Sequence, residues 1–179
     1  MRTTASLGSR MTVFGLLRRA LAGVAGSVLL VQPAFALERG PVTNLPLPRY
    51  VSLKTDEGNV RRGPSLSHRI DWIFVRRGMP LEIVGEFGHW RRVQDRDGVG
   101  GWVHYSLLSG VRSALIETDL APLMAAPNPD SPVKAHLEAG VIVWMSSCAA
   151  DWCKVEVEGT KGWMEKTALW GVRRDEVFD

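Results

Sequence analysis

Trp90-Arg91-Arg92-Val93-Gln94-Asp95-Arg96-Asp97-Gly98-Val99-Gly100-Gly101-Trp102-Val103 reads as two short strands joined by a tight turn, with Asp97-Gly98 as the turn signal. The same design returns as Trp152-Cys153-Lys154-Val155-Glu156-Val157-Glu158-Gly159-Thr160-Lys161-Gly162-Trp163-Met164. Gly78, Trp90 and Val93 recur 62 positions on as Gly140, Trp152 and Val155, and Gly101-Trp102-Val103 recurs at a shift of 61. Val60 with Pro64 recurs as Leu123 with Pro127 at a shift of 63. One residue of slippage is what hairpin loops of unequal length produce. The chain therefore holds two copies of one unit, at residues 48–110 and 111–172, the second divergent.

Each copy is read as short strands with a turn signal about every ten residues and no sustained helical period. In the first, Tyr50–Lys54, Leu81–Phe87 and Trp90–Gln94 are strand-like, Asn59–Pro64 carries turn chemistry, and Ser106–Ser109 suggests one helical turn. In the second, Ala114–Glu117, Val141–Met145 and Trp152–Val157 take the same places. Such a pattern belongs to small all-β barrels. The few residues between the copies predict that they pack together. Residues 37–47 read as a linker and 173–179 as a tail.

The charge account depends on the N-terminus. The 179 residues carry 22 basic and 19 acidic side chains, and the sequence pI of 9.1 raises the question of a polyanionic partner. Residues 1–36, however, hold Arg2, Arg10, Arg18 and Arg19, no acidic residue, an apolar run from Ala20 to Val31, and Ala34-Phe35-Ala36. A basic start, a run of roughly twelve apolar residues and an A-x-A site predict a secretory signal peptide cleaved after Ala36. Met11 is an alternative start, and position 37 is not the Cys that a lipoprotein anchor requires. Removing the leader leaves 18 basic against 19 acidic residues, a net charge of −1. The nucleic-acid reading loses its support, and the mature chain is expected in the periplasm or outside the cell, without a transmembrane segment.

Tyr50-Val51-Ser52-Leu53-Lys54, Asn59-Val60-Arg61-Arg62-Gly63-Pro64-Ser65, Trp90-Arg91-Arg92-Val93 and Gly101-Trp102-Val103-His104-Tyr105-Ser106-Leu107-Leu108-Ser109 resemble the bacterial SH3-like domain, in the tandem form found in exported proteins. The second copy departs from the pattern, with Pro122-Leu123-Met124-Ala125-Ala126-Pro127 where the first has Asn-Val-Arg-Arg-Gly-Pro. The resemblance implies a five-stranded, strongly bent barrel per unit, a binding role and no catalysis. It also implies that Trp90, and after it Trp152, lines a ligand groove. The alternative is that the neighbouring domain or a loop covers both. His104 stands where a Pro is expected in SH3 domains at large, and the acidic Ala-Leu-Tyr-Asp-Tyr segment is missing, so proline-rich ligands are a poor guess.

Cys148 and Cys153 flank a hairpin-sized interval in a chain expected to meet an oxidising compartment, which predicts a disulfide. No second Cys or His pair supplies a zinc set, and His68, His89, His104 and His136 lack ligand spacing. No catalytic motif or cofactor fingerprint is present, and Asp95 and Asp97 fit turn chemistry. The first copy has 10 basic and 7 acidic residues, the second 5 and 8. Arg61, Arg62, Arg91 and Arg92 either pair with solvent or the acidic copy, or offer guanidinium donors to carboxylates such as those of peptidoglycan stem peptides. The expected partner is accordingly peptidoglycan or, alternatively, a periplasmic protein that the chain helps to assemble.

Overall fold

The computed structural model describes residues 38–179. The expected leader and its cleavage site lie outside them. The first barrel consists of β3 (Arg49–Leu53), β4 (Gly58–Arg61), β5 (Ile70–Phe74), β6 (Pro80–Phe87), β7 (Trp90–Gln94), β8 (Gly100–His104), a 3-10 turn (Tyr105–Leu107) and β9 (Leu108–Ser109). The second repeats the series as β10 (Ser113–Ile116), β11 (Ala121–Met124), β12 (Val133–Leu137), β13 (Ile142–Cys148), β14 (Trp152–Val157), β15 (Thr160–Glu165), a 3-10 turn (Lys166–Ala168) and β16 (Leu169–Trp170). Strand order is β5-β4-β8-β7-β6-β3-β9 in one and β12-β11-β15-β14-β13-β10-β16 in the other, so the topology is the same. Each sheet has seven strands where the resemblance implied five. Strand β4 forms where turn chemistry was expected, and β5 and β12 where no element was predicted.

Alternation along these strands sends one set of side chains inward, and the inward sets match between copies. Leu53, Val60, Leu81, Ile83, Val93 and Val103 form the first core, and Ile116, Leu123, Val143, Met145, Val155 and Met164 take their places in the second. These pairs stand 61 to 63 positions apart, so the sequence repeat is a repeat of core positions. The Gly-Trp-Val motif recurs because its glycine is crossed by β4 or β11. A Cβ on Gly101 would lie 2.7 Å from the Arg61 carbonyl oxygen, and one on Gly162 would lie 2.6 Å from Leu123 Cγ.

The barrels meet through packing and carbonyl contacts. Tyr50 stands edge-on to Trp170 with ring centroids 5.3 Å apart. Ser52 Oγ donates to the Val111 carbonyl at 2.8 Å, Arg76 to that of Gly140 at 3.0 Å, and Arg173 to that of Pro48 at 2.9 Å. Among the described residues no salt bridge joins the two barrels. Pairing of the basic copy with the acidic one is therefore not what holds the tandem together.

The segments that flank the two barrels, residues 38–47 and 173–179, are both tied down. Residues read as a linker form a hairpin of β1 (Glu38–Arg39) and β2 (Pro46–Leu47). The fully buried Glu86 carboxylate holds this arm, accepting from Val42 N at 3.0 Å, Thr43 N at 2.9 Å, Thr43 Oγ1 at 2.6 Å and Arg49 at 2.6 Å. The C-terminal tail lies on the second barrel, where the Cys148 and Phe178 backbones exchange hydrogen bonds of 2.7 and 3.1 Å. Arg112 adds an ion pair to Glu176 and stacks over the Phe178 ring at 4.8 Å. Burial raises the Glu176 pKa, but the Arg112 and Arg173 donors outweigh it and hold the carboxyl below the usual range. Cys148 and Cys153 are joined by a disulfide.

Candidate functional site

Directly opposed residues on antiparallel strands share a face. Arg61 opposes Trp102 across β4 and β8, Trp102 opposes Arg92 across β8 and β7, and Arg92 opposes Gly85 across β7 and β6. A row of guanidinium, indole and guanidinium thus runs across the outer face and ends at Gly85, which has no side chain to fill the space beyond. The row lines a cleft of about 430 Å³ with Arg62, Asp71, Gln94 and Gly98.

The guanidinium groups in this cleft are held to different degrees. Arg61 donates to the carbonyls of Leu66 and His68 at 3.1 and 2.7 Å. Arg62 and Arg69 both grip Asp71, at 3.0 and 2.6 Å, and their hydrogen bonds hold its carboxyl below the ordinary aspartate range. The Arg92 side chain is exposed and makes no hydrogen bond or ion pair among the described residues. It is the donor that a carboxylate entering the cleft would meet.

Arg91, predicted beside Arg92 as a ligand-binding group, points the other way. Neighbours in a strand face opposite sides, and Arg91 is 8% exposed, with its Nε 3.6 Å from the buried Glu86 carboxylate. It is a structural cation. Period-two alternation divides this doublet, a signal that the sequence contained.

Trp90, the favoured groove residue, is 9% exposed and belongs to neither core cluster. It stands edge-on to His104 of its own barrel at 5.4 Å. His104 packs on Tyr105 at 4.9 Å and shares a 2.7 Å hydrogen bond between Nδ1 and Ser106 Oγ. Neither reaches the arginine cleft. Trp152 is the more open of the two tryptophans. It lines a small apolar cleft of about 160 Å³ with Pro122, Met124, Pro129 and Ala168, closed on one side by Glu165.

The second barrel supplies an internal comparison for the arginine row. Met124 stands opposite Trp163, Trp163 opposite Lys154, and Lys154 opposite Ser147. One guanidinium has become a thioether, the other an amine, and the open glycine a serine. The paired donors for a planar anion exist on the first barrel and not on the second.

Two small β-sheets of identical strand order, one with an open polar face, define a tandem SH3-like protein. The chain belongs to the bacterial SH3 domain family, whose pattern matches residues 54–110 and 117–171, more than half of its length. Among solved structures it is similar to NlpC2 from Trichomonas vaginalis, with 15% identity and a TM-score of 0.33, covering 69% of this chain and 48% of that one. NlpC1 from the same organism gives 14% identity and a TM-score of 0.33, covering 77% and 50%. The chain spans about half the length of these structures. No curated protein matches it.

Proposed function

We propose that the protein is an exported, non-catalytic module that binds the cell envelope through its first barrel, with a carboxylate of the peptidoglycan stem peptide in the Arg61–Trp102–Arg92 cleft. The observation that carries this reading is the cross-strand row itself, which leaves Arg92 unpartnered beside an indole and above a glycine. Arginine matches a carboxylate bidentately, and the neighbouring Trp102 offers an apolar wall to the peptide stem. Export rests on the leader at residues 1–36 and fits the Cys148–Cys153 disulfide, which an oxidising compartment maintains. No helix among the described residues is long and apolar enough to cross a membrane.

Co-sedimentation of the mature chain with purified sacculi tests the reading. Retention should weaken with salt, and Arg92→Ala should weaken it about tenfold, the scale of one charge-assisted hydrogen bond, while leaving the melting temperature unchanged. Trp152→Ala, in the other barrel, should leave retention as it is. Retention that is indifferent to both salt and Arg92→Ala would exclude the cleft.

A further inference from the structure

Strand β5 is the outermost strand of the first sheet and its ladder is with β4 alone, so its other edge presents unpaired backbone groups. Natural edges of this kind are usually guarded by charge, proline or cover. This one carries Ile70, Trp72 and Ile73, which are 40%, 52% and 47% exposed, with Val75 beyond its end at 66%. Successive side chains alternate faces, so Trp72 and Ile73 leave both faces of the edge apolar.

The second barrel shows that the fold does not require this. Its equivalent edge strand β12 places Lys134 and His136 along the corresponding stretch, and only Val133 is a large exposed apolar residue there. Lys134 also reaches across to the Lys161 carbonyl at 2.7 Å. Both edges carry one charged residue at the same place, Asp71 or Lys134, but the first sets Trp72 and Ile73 beside it where the second has Ala135 and His136.

Charge selects among the possible occupants. Arg62 and Arg69 flank β5 and Arg76 and Arg77 follow it, four cations against Asp71, which Arg62 and Arg69 already neutralise, and against Asp56 and Glu57 beside Gly58, the partner of Phe74. Pairing β5 with the β5 of a second copy would bring two such basic borders together. An acidic extended chain meets both requirements, since it supplies backbone partners for the edge and carboxylates for its border.

We propose that β5 is a docking edge for an acidic, extended segment of a partner protein, which adds to the first sheet as a further strand. This goes beyond envelope binding at the arginine cleft: the two sites share Arg62 and Asp71 at their border, but docking rests on Trp72 and Ile73 and envelope binding on Arg92 and Trp102. The probe is a capped heptapeptide of alternating Glu and Val, compared with the same peptide carrying Lys for Glu, and the readout is amide hydrogen exchange of the mature chain. The Glu peptide should protect Ile70–Phe74 and leave Val133–Leu137 unchanged, and Trp72→Ser should weaken it about tenfold. Ile73→Ser, on the opposite face, provides a second variant if the first perturbs folding. Equal protection by the Lys peptide, equal protection of β12, no protection at all, or a concentration-dependent dimer that buries β5 without peptide would each overturn the proposal. Sacculus retention separates the two readings, because it should follow Arg92→Ala and ignore Trp72→Ser.

Discussion

Replacing Glu86 by Gln is expected to release the N-terminal arm and cost the first barrel about 3 kcal/mol at neutral pH. The magnitude follows from the carboxylate's surroundings. Burial alone would raise its pKa, but donors from Thr43, Arg49 and Val42 overcome that effect and bring it from 4.5 down to about 2. At about 1.4 kcal/mol for each tenfold change in proton affinity, that difference amounts to about 3 kcal/mol of stabilisation in the charged form. The folded-state value is depressed, so the contribution is fully present above pH 4.5 and disappears as the pH falls through about 2. Gln keeps the shape, but replaces one acceptor oxygen with a donor that faces the Val42 and Thr43 amides or Arg49, and removes the partner charge of Arg91.

Urea unfolding followed by tryptophan fluorescence, repeated from pH 6 to about 2, measures the effect for both proteins. Wild type should lose its advantage over Glu86→Gln progressively across the acid range, and the two should converge near the bottom. Hydrogen exchange should show Val42 and Thr43 amides protected in wild type and open in the variant. Unfolding curves that differ by less than about 1 kcal/mol at pH 6, or that run parallel down to acid, would refute the view of Glu86 as a charged clamp.

Reduction of the Cys148–Cys153 disulfide should lower stability by about 2 kcal/mol, the value for so short a loop, and should expose the Phe178 amide that Cys148 holds. Identical unfolding with and without reductant would count against this. Gly78→Ala should destabilise the tandem by about 1 to 2 kcal/mol, because the position is left-handed, with φ +79° and the new Cβ only 2.8 Å from Trp144 Cζ2 of the other barrel. A change in Trp144 emission should accompany the loss, and an unaltered melting temperature would remove Gly78 from the interface.

The strands and cores were legible because the constraints that shape them repeat. Gly101 and Gly162 are crossed closely by a neighbouring strand, and Val93 and Val155 fill the same inward site, so both pairs survive divergence. Strand β5 was not legible. Its Ile70-Asp71-Trp72-Ile73-Phe74 lacks clean alternation because only Phe74 is buried, and hydrophobic periodicity reports burial on one face. The candidate site was legible in residue type but not in arrangement. Arg61, Arg62 and Arg92 do converge, whereas Arg91 is turned inward by the alternation that turns Arg92 outward. Trp90 ranks ahead of Trp152 in the sequence although the structure covers Trp90 with His104, because a tryptophan's position along a strand does not say which side chains lie across it.

The shift of 62 has one further correspondence, which residue identity hides. Glu86 and Arg91 oppose each other across β6 and β7, and Cys148 and Cys153 oppose each other at the same place across β13 and β14. One copy locks the end of this hairpin with a buried ion pair and the other with a covalent bond. In each the first member of the pair also holds a segment that flanks its barrel, Glu86 the arm at Val42 and Thr43, Cys148 the tail at Phe178. The whole donor set around Glu86, chiefly Thr43, Arg49 and Val42, is worth about 3 kcal/mol and the disulfide about 2 kcal/mol. They differ in what opens them, since acid discharges the first and leaves the second intact, whereas a reductant does the reverse. Acid should therefore free the N-terminal arm while the tail stays docked, and reductant should free the tail while the arm stays docked. A site-by-site comparison of Thr43 and Phe178 amide exchange under the two conditions would reveal that division, and joint release under either one would show that the barrels unfold as a single unit.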